Sequence, residues 1–148
     1  MTAGGNALRE VQKKFPNLSD KTEITSPDTS RYNCVAYAAG DTSRWWWPDT
    51  MKFAYWPQGC IRMETLSAFQ AAFETLGYEL CANGEYQTNI EKIAIFHKNK
   101  IPTHAARQIG NGIWTSKLGE WFDISHEIKG VSGSSYGDIA FFMERKKS

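Results

Sequence analysis

Two spacings of apolar residues divide the chain. Between residues 63 and 77, Leu66, Phe69, Ala72, Phe73 and Leu76 recur at three- and four-residue steps and Gly77 follows. This spacing predicts an amphipathic helix closed by the glycine. Residues 5 to 14 carry a weaker helical stripe ended by Pro16, and "CVAYAA" at 34 to 39 lies between Asn33, a good N-cap, and Gly40, a helix stop. After residue 77 the period changes. "YELCA", "KIAIFH", "THAARQI", "GIWTSKL" and "DIAFFMERK" are short, β-prone or alternating segments, and Gly110-Asn111-Gly112 marks a tight hairpin between two of them. Residues 17 to 32 are polar and read as a loop. "DTSRWWWPDTMKFAYWPQG" is too rich in Trp and Pro to be regular and too apolar to be a solvated linker, so an ordered loop is expected there. The order is helices first, then an antiparallel meander, which predicts an α+β fold.

Composition narrows the function classes. The 148 residues are expected to form a single domain, with 41% hydrophobic residues, 22% charged residues and a net charge of +1. That balance argues against disorder and against a generic nucleic-acid binder, which carries a basic excess. No run approaches the roughly 20 apolar residues of a membrane span, and "MTAGGNALREVQKKFP" lacks a signal-peptide pattern. A cytoplasmic location is the expectation, with signal-independent secretion as the alternative. Cys34, Cys60 and Cys81 are odd in number and irregularly spaced, so reduced thiols are expected, without a disulfide framework or paired zinc ligands. No metal and no cofactor are expected.

The candidate chemistry starts at "YNCVAYAAGD". A cysteine in the first turn of a helix faces unpaired N–H groups and the positive end of the dipole, which can lower a thiol pKa from about 8.5 to roughly 3.5–7.5. Such a nucleophile needs a base, and the base needs an orienting group. His104 opens the strand before the hairpin. A hairpin turning near Asn111 pairs positions whose numbers sum to about 222, so His104 faces roughly Thr115 to Leu118. Ser116 or Thr115 is then placed to hold the imidazole.

An Asn-Cys helix, a His strand, a Gly-rich turn and a polar residue on the returning strand resemble the papain-like cysteine hydrolases. The likeness is nearest to the compact NlpC-type and CHAP-type amidohydrolases. "NCVAYAAGD" matches their nucleophile helix, and "THAARQIGNGIWTSKLG" matches their His strand, hairpin and third-residue strand. More narrowly, "YNCVAYAAGD…WWWP", "THAARQIGNGIWTSKLG" and "YGDIAFFMER", over roughly residues 30 to 145, resemble a family of small bacterial proteins of unknown function. The resemblance implies Cys34 as nucleophile, His104 as general base and Ser116 at the orienting position. Those hydrolases place His, Asn, Asp or Gln at that third position, so the serine departs from the pattern. Asp123 and His126, in "EWFDISHEIKG", are rival third members.

Around this dyad, the helix-start N–H groups and Asn33 are candidates for the oxyanion site. Trp45, Trp46 and Trp47 are candidates for a substrate wall. Arg107 and Lys117 read as solvent-facing strand residues, Cys81 as core, and His97 as a surface turn residue. The expected function is a cysteine hydrolase of the peptidase or amidase type, acting on a peptide or other amide-containing substrate by hydrolysis or transfer. The alternative is a non-catalytic module of the same fold that uses the Trp-rich loop, residues 44–57, to bind a protein partner or ligand. Neither reading involves nucleic acid or a membrane.

Overall fold

The computed structural model describes residues 5–148. Three short helices, α1 (Gly5–Lys14), α2 (Cys34–Ala39) and α3 (Leu66–Glu74), accompany seven strands. The strands are β1 (Glu23–Ser26), β2 (Glu79–Cys81), β3 (Ile90–Lys98), β4 (Ile101–Gly110), β5 (Ile113–Lys117), β6 (Asp123–His126) and β7 (Asp138–Lys146). The fold is α+β, built on one antiparallel sheet in the order β1-β6-β5-β4-β3-β7-β2. Strands β3, β4 and β5 follow the expected meander and β6 extends it; β7 departs from it by inserting beside β3, and β2 pairs with β7 at the far edge.

Local signals explain most boundaries. The Asn33 carboxamide oxygen accepts the Ala36 N–H, which starts α2. Gly40 stops it with a left-handed φ of 89°, a conformation that is strained for any residue with a side chain. Helix α3 is shorter than its apolar stripe. It starts where the Thr65 hydroxyl accepts the Ala68 N–H and ends at Glu74, three residues before Gly77. The hairpin keeps the expected register, with Arg107 opposite Thr115 and Gln108 opposite Trp114.

Two strands lie where the chain pattern gave none. β1 falls inside the polar segment 17–32, and β6 falls within "EWFDISHEIKG"; the two pair with each other at the sheet edge. Both have only four residues, too few for a period-two pattern to declare itself. Cys81, expected in the core, lies half-buried on the terminal strand β2.

The sheet separates two apolar cores. One face packs Ile93, Ile95, Ala105 and Met143 against Val35, Ala36 and Ala38 of α2 and Phe69, Ala72 and Phe73 of α3, together with Trp46 and Trp56. The other packs Ala94, Phe96, Ala106, Trp114, Leu118 and Ile124 against Val11 of α1 and Phe15 just after it. Neighbouring strand residues therefore enter different cores, and this alternation decides where each candidate side chain goes.

Candidate active site

Cys34 opens α2 and belongs to the α2–α3 core, with 7% of its surface exposed. It lies in a cleft of about 460 Å³ whose lining includes Asn33, Trp45, Trp47, Phe53, Thr103 and Tyr136. The expectation of an acidified thiol fails. Burial pushes the Cys34 pKa up to about 11, against the pull of backbone N–H groups of Ala105, Val35 and Cys34 itself and of the Lys117 charge. A six-residue helix stacks too few peptide dipoles to outweigh removal from water.

His104 is wholly buried. It stands opposite Phe96 on β3, their rings 5.4 Å apart, and so belongs to the face that α1 covers. Its Nε2 lies 2.9 Å from Ser116 Oγ, as expected, but Nδ1 has no hydrogen-bond partner among the described residues. The expected thiol–imidazole hydrogen bond is therefore not formed. The reason is the alternation of β4: His104 takes one face, and Ala105, in the core with Cys34, takes the other.

Two features nevertheless relate the two groups. The registered β4–β5 ladder ends at Arg107–Thr115, so the strands part beside His104, and the Ala105 N–H there lies against the thiol. The Tyr136 ring stacks on the imidazole at 4.0 Å and 7°, and the same residue lines the Cys34 cleft. Tyr136 is thus the residue shared by the imidazole and the cleft of the thiol.

Behind His104 runs a chain of contacts. Ser116 Oγ lies 2.7 Å from His126 Nε2, and His126 Nδ1 lies 2.6 Å from the Glu127 carbonyl oxygen. Ser116 and His126, rivals for the third position, are thus consecutive members of one network. Burial lowers the pKa of His126 to about 4, although the Glu127 carbonyl favours its charge. Burial, with the nearby His126, holds His104 well below the usual histidine range. Both rings are neutral at pH 7.

Asp123 is not a third member. It faces the α2 side, where the Tyr32 hydroxyl donates to its Oδ2 at 2.6 Å. Lys117, expected at the surface, is also buried there. Its ammonium donates to the carbonyl oxygens of Thr29, Gly119 and Trp121 at 2.6 to 2.7 Å, tying the approach to α2 to the turn after β5. The period-two step that sends Ser116 to one face sends Lys117 to the other, so the sequence held this signal. Arg107, also expected in solvent, is half-buried near the Tyr37 ring.

The aromatic wall is real in part. Trp45 and Trp47 line the cleft, but Trp46 is buried, its indole N–H donating to Asp41 Oδ2 at 2.9 Å. Asn33 lines the cleft as well. Its Oδ1 accepts the Trp46 and Ala36 N–H groups and its Nδ2 donates to the Trp46 carbonyl, so the side chain tethers the Trp loop. Phe53, 88% exposed, and Tyr136 are wall residues that the sequence reading missed. No spacing marks either one, because both lie in irregular segments.

Fold and site together define an α+β protein in which a cysteine-bearing helix tip packs on one face of an antiparallel sheet and a buried histidine network on the other. Residues 23–144 match the model of a family described as a domain of unknown function, DUF7689, and the chain belongs to that family. No curated protein and no solved structure matches it significantly.

Proposed function

We propose that the protein is a cysteine hydrolase of papain-like architecture, acting on an amide or related acyl bond whose acyl side is apolar. One observation carries this reading: the Tyr136 ring that lines the open cleft of the Cys34 thiol also stacks on an imidazole whose Nδ1 has no partner among the described residues. The thiol is protonated at rest, so His104 acts as a general base during attack and not as half of a preformed ion pair. The Cys34 sulfur forms a bond to the substrate carbonyl carbon while its proton passes to His104 Nδ1. The backbone N–H groups of Ala105, Val35 and Cys34, which act on the thiol, are the donors this reading assigns to the oxyanion. Collapse breaks the carbonyl–nitrogen bond, His104 returns its proton to the leaving amine, and water releases the acyl group from Cys34. The indoles of Trp45 and Trp47 and the Phe53 ring favour an uncharged, apolar acyl side; the one carboxylate among them, Asp49, is engaged by Phe53 N, Ala54 N and Arg62.

The test is acylation by p-nitrophenyl esters, comparing a phenylpropanoyl with a succinyl acyl group. A burst of nitrophenolate with the phenylpropanoyl adduct mapped to Cys34 is expected. The burst disappears in Cys34→Ala, is at least about 100-fold slower in His104→Ala, and is weak with the succinyl ester. Adducts spread equally over Cys34, Cys60 and Cys81 overturn the reading.

A second reading is favoured by one feature, the exposed Phe53 ring that lines the cleft beside Trp45 and Trp47. There the domain is a non-catalytic module that binds an apolar segment of a partner. Its mark is retained binding in Cys34→Ala together with no burst in the wild type.

A further inference from the structure

Ser116 alone cannot choose the protonation of His104, because a hydroxyl donates or accepts with equal ease. The choice is made further along the network. The Glu127 carbonyl oxygen only accepts, so the proton of neutral His126 is on Nδ1. His126 Nε2 is then an acceptor and takes the Ser116 hydroxyl proton at 2.7 Å. With that proton committed, the Ser116 oxygen offers only lone pairs to His104, and Nε2 of His104 must carry the hydrogen that spans the 2.9 Å contact. A neutral imidazole has one N–H. His104 Nδ1, without a partner among the described residues, therefore bears the lone pair.

We infer that His126 is a positioning residue, which acts through Ser116 to hold His104 in the neutral tautomer whose basic nitrogen is the unpartnered Nδ1. The direction of the whole relay is set by one backbone carbonyl at its far end. Protonating His126 would place a hydrogen on its Nε2, turn the Ser116 hydroxyl around, and push the His104 proton onto Nδ1, where it could no longer take a proton from a thiol. This arrangement explains how a serine stands where an amide or carboxylate would more directly orient an imidazole. Its value to catalysis rests on the hydrolase reading above, but the tautomer is readable without any activity.

The experiment is long-range ¹H–¹⁵N correlation spectroscopy of the uniformly ¹⁵N-labelled full chain at pH 7. In the wild type, His104 is expected to show a protonated Nε2 and an unprotonated Nδ1, and His126 the reverse. Ser116→Ala and His126→Leu are expected to lose the single His104 pattern, with Nδ1 gaining proton occupancy. His126→Gln, whose amide oxygen can accept from Ser116, should restore it. A wild-type His104 protonated at Nδ1 overturns the inference, as does a His104 pattern unchanged in Ser116→Ala and His126→Leu. Should His126→Leu not fold, the wild-type spectrum and Ser116→Ala decide alone. The expected tautomer in a protein inert to the p-nitrophenyl esters removes the hydrolase reading and leaves the relay standing. An active enzyme with the opposite tautomer does the converse.

Discussion

A single sulfur shows how burial and helix position compete. At a helix start, N–H groups favour a thiolate, yet Cys34 is displaced upward to about 11 because the surrounding apolar core disfavours charge more than a short helix favours it. The resting protein should therefore be a poor target for alkylation. Iodoacetamide labelling of Cys34 is expected to be slow at pH 6 and to rise about tenfold per pH unit towards alkaline pH, since only the thiolate reacts. Peptide mapping across pH 6 to 10 measures this, and fast, pH-independent labelling at pH 6 would establish a preformed thiolate and exclude base-assisted attack. His104 obeys the same rule in the opposite sense: burial keeps it neutral, which is the state a base requires.

At the scale of elements, the tip of α2 and the Trp loop are one unit because Asn33 serves both. It caps α2 through Ala36 N–H and pairs with both backbone groups of Trp46. Loss of an N-cap costs about 1 kcal/mol, and a buried amide and carbonyl deprived of partners cost about 1–3 kcal/mol more. Asn33→Ala is thus expected to lose about 2–4 kcal/mol in urea denaturation and to alter tryptophan fluorescence in the native state. A loss below about 1 kcal/mol with unchanged fluorescence would mean that the loop is held independently of the cap. The segment carrying Tyr136 is fixed by a different device. Gly137, at a φ of 74°, comes so close to the His97 carbonyl that no side chain fits, and it directly follows the Tyr136 whose ring stacks on His104.

For the whole molecule, two neutral histidines beneath one sheet couple stability to acid. The folded pKa of His126 lies at about 4, below its ordinary 6.5, so between these values the unfolded chain binds more protons than the native one. Stability is full above pH 6.5 and falls as the pH drops towards 4, by up to about 1.4 kcal/mol per unit for this group; His104 acts in the same direction. Urea denaturation at pH 7 and pH 5 is expected to show a loss of about 2 kcal/mol attributable to His126, absent from the difference in His126→Gln. Equal acid sensitivity in the two proteins would remove His126 as the cause.

Taken alone, the order of residues determined what short-range physics can write: the cap and stop of α2, the register of the hairpin, and the placing of Ser116 against His104. Those features depend on neighbours within a few positions, where spacing and turn chemistry are sufficient. Tertiary structure alone decided the rest. β1 and β6 exist because they pair with each other at the sheet edge, not because four residues declare a strand. Which face a side chain enters follows from pairing across the whole sheet. That pairing placed His104 and Cys34 on opposite faces, joined Ser116 to His126, sank Lys117 among carbonyl oxygens and drew Tyr136 over the imidazole. The thiol pKa was settled the same way: helix position can be read locally, but desolvation is a property of everything packed around the sulfur.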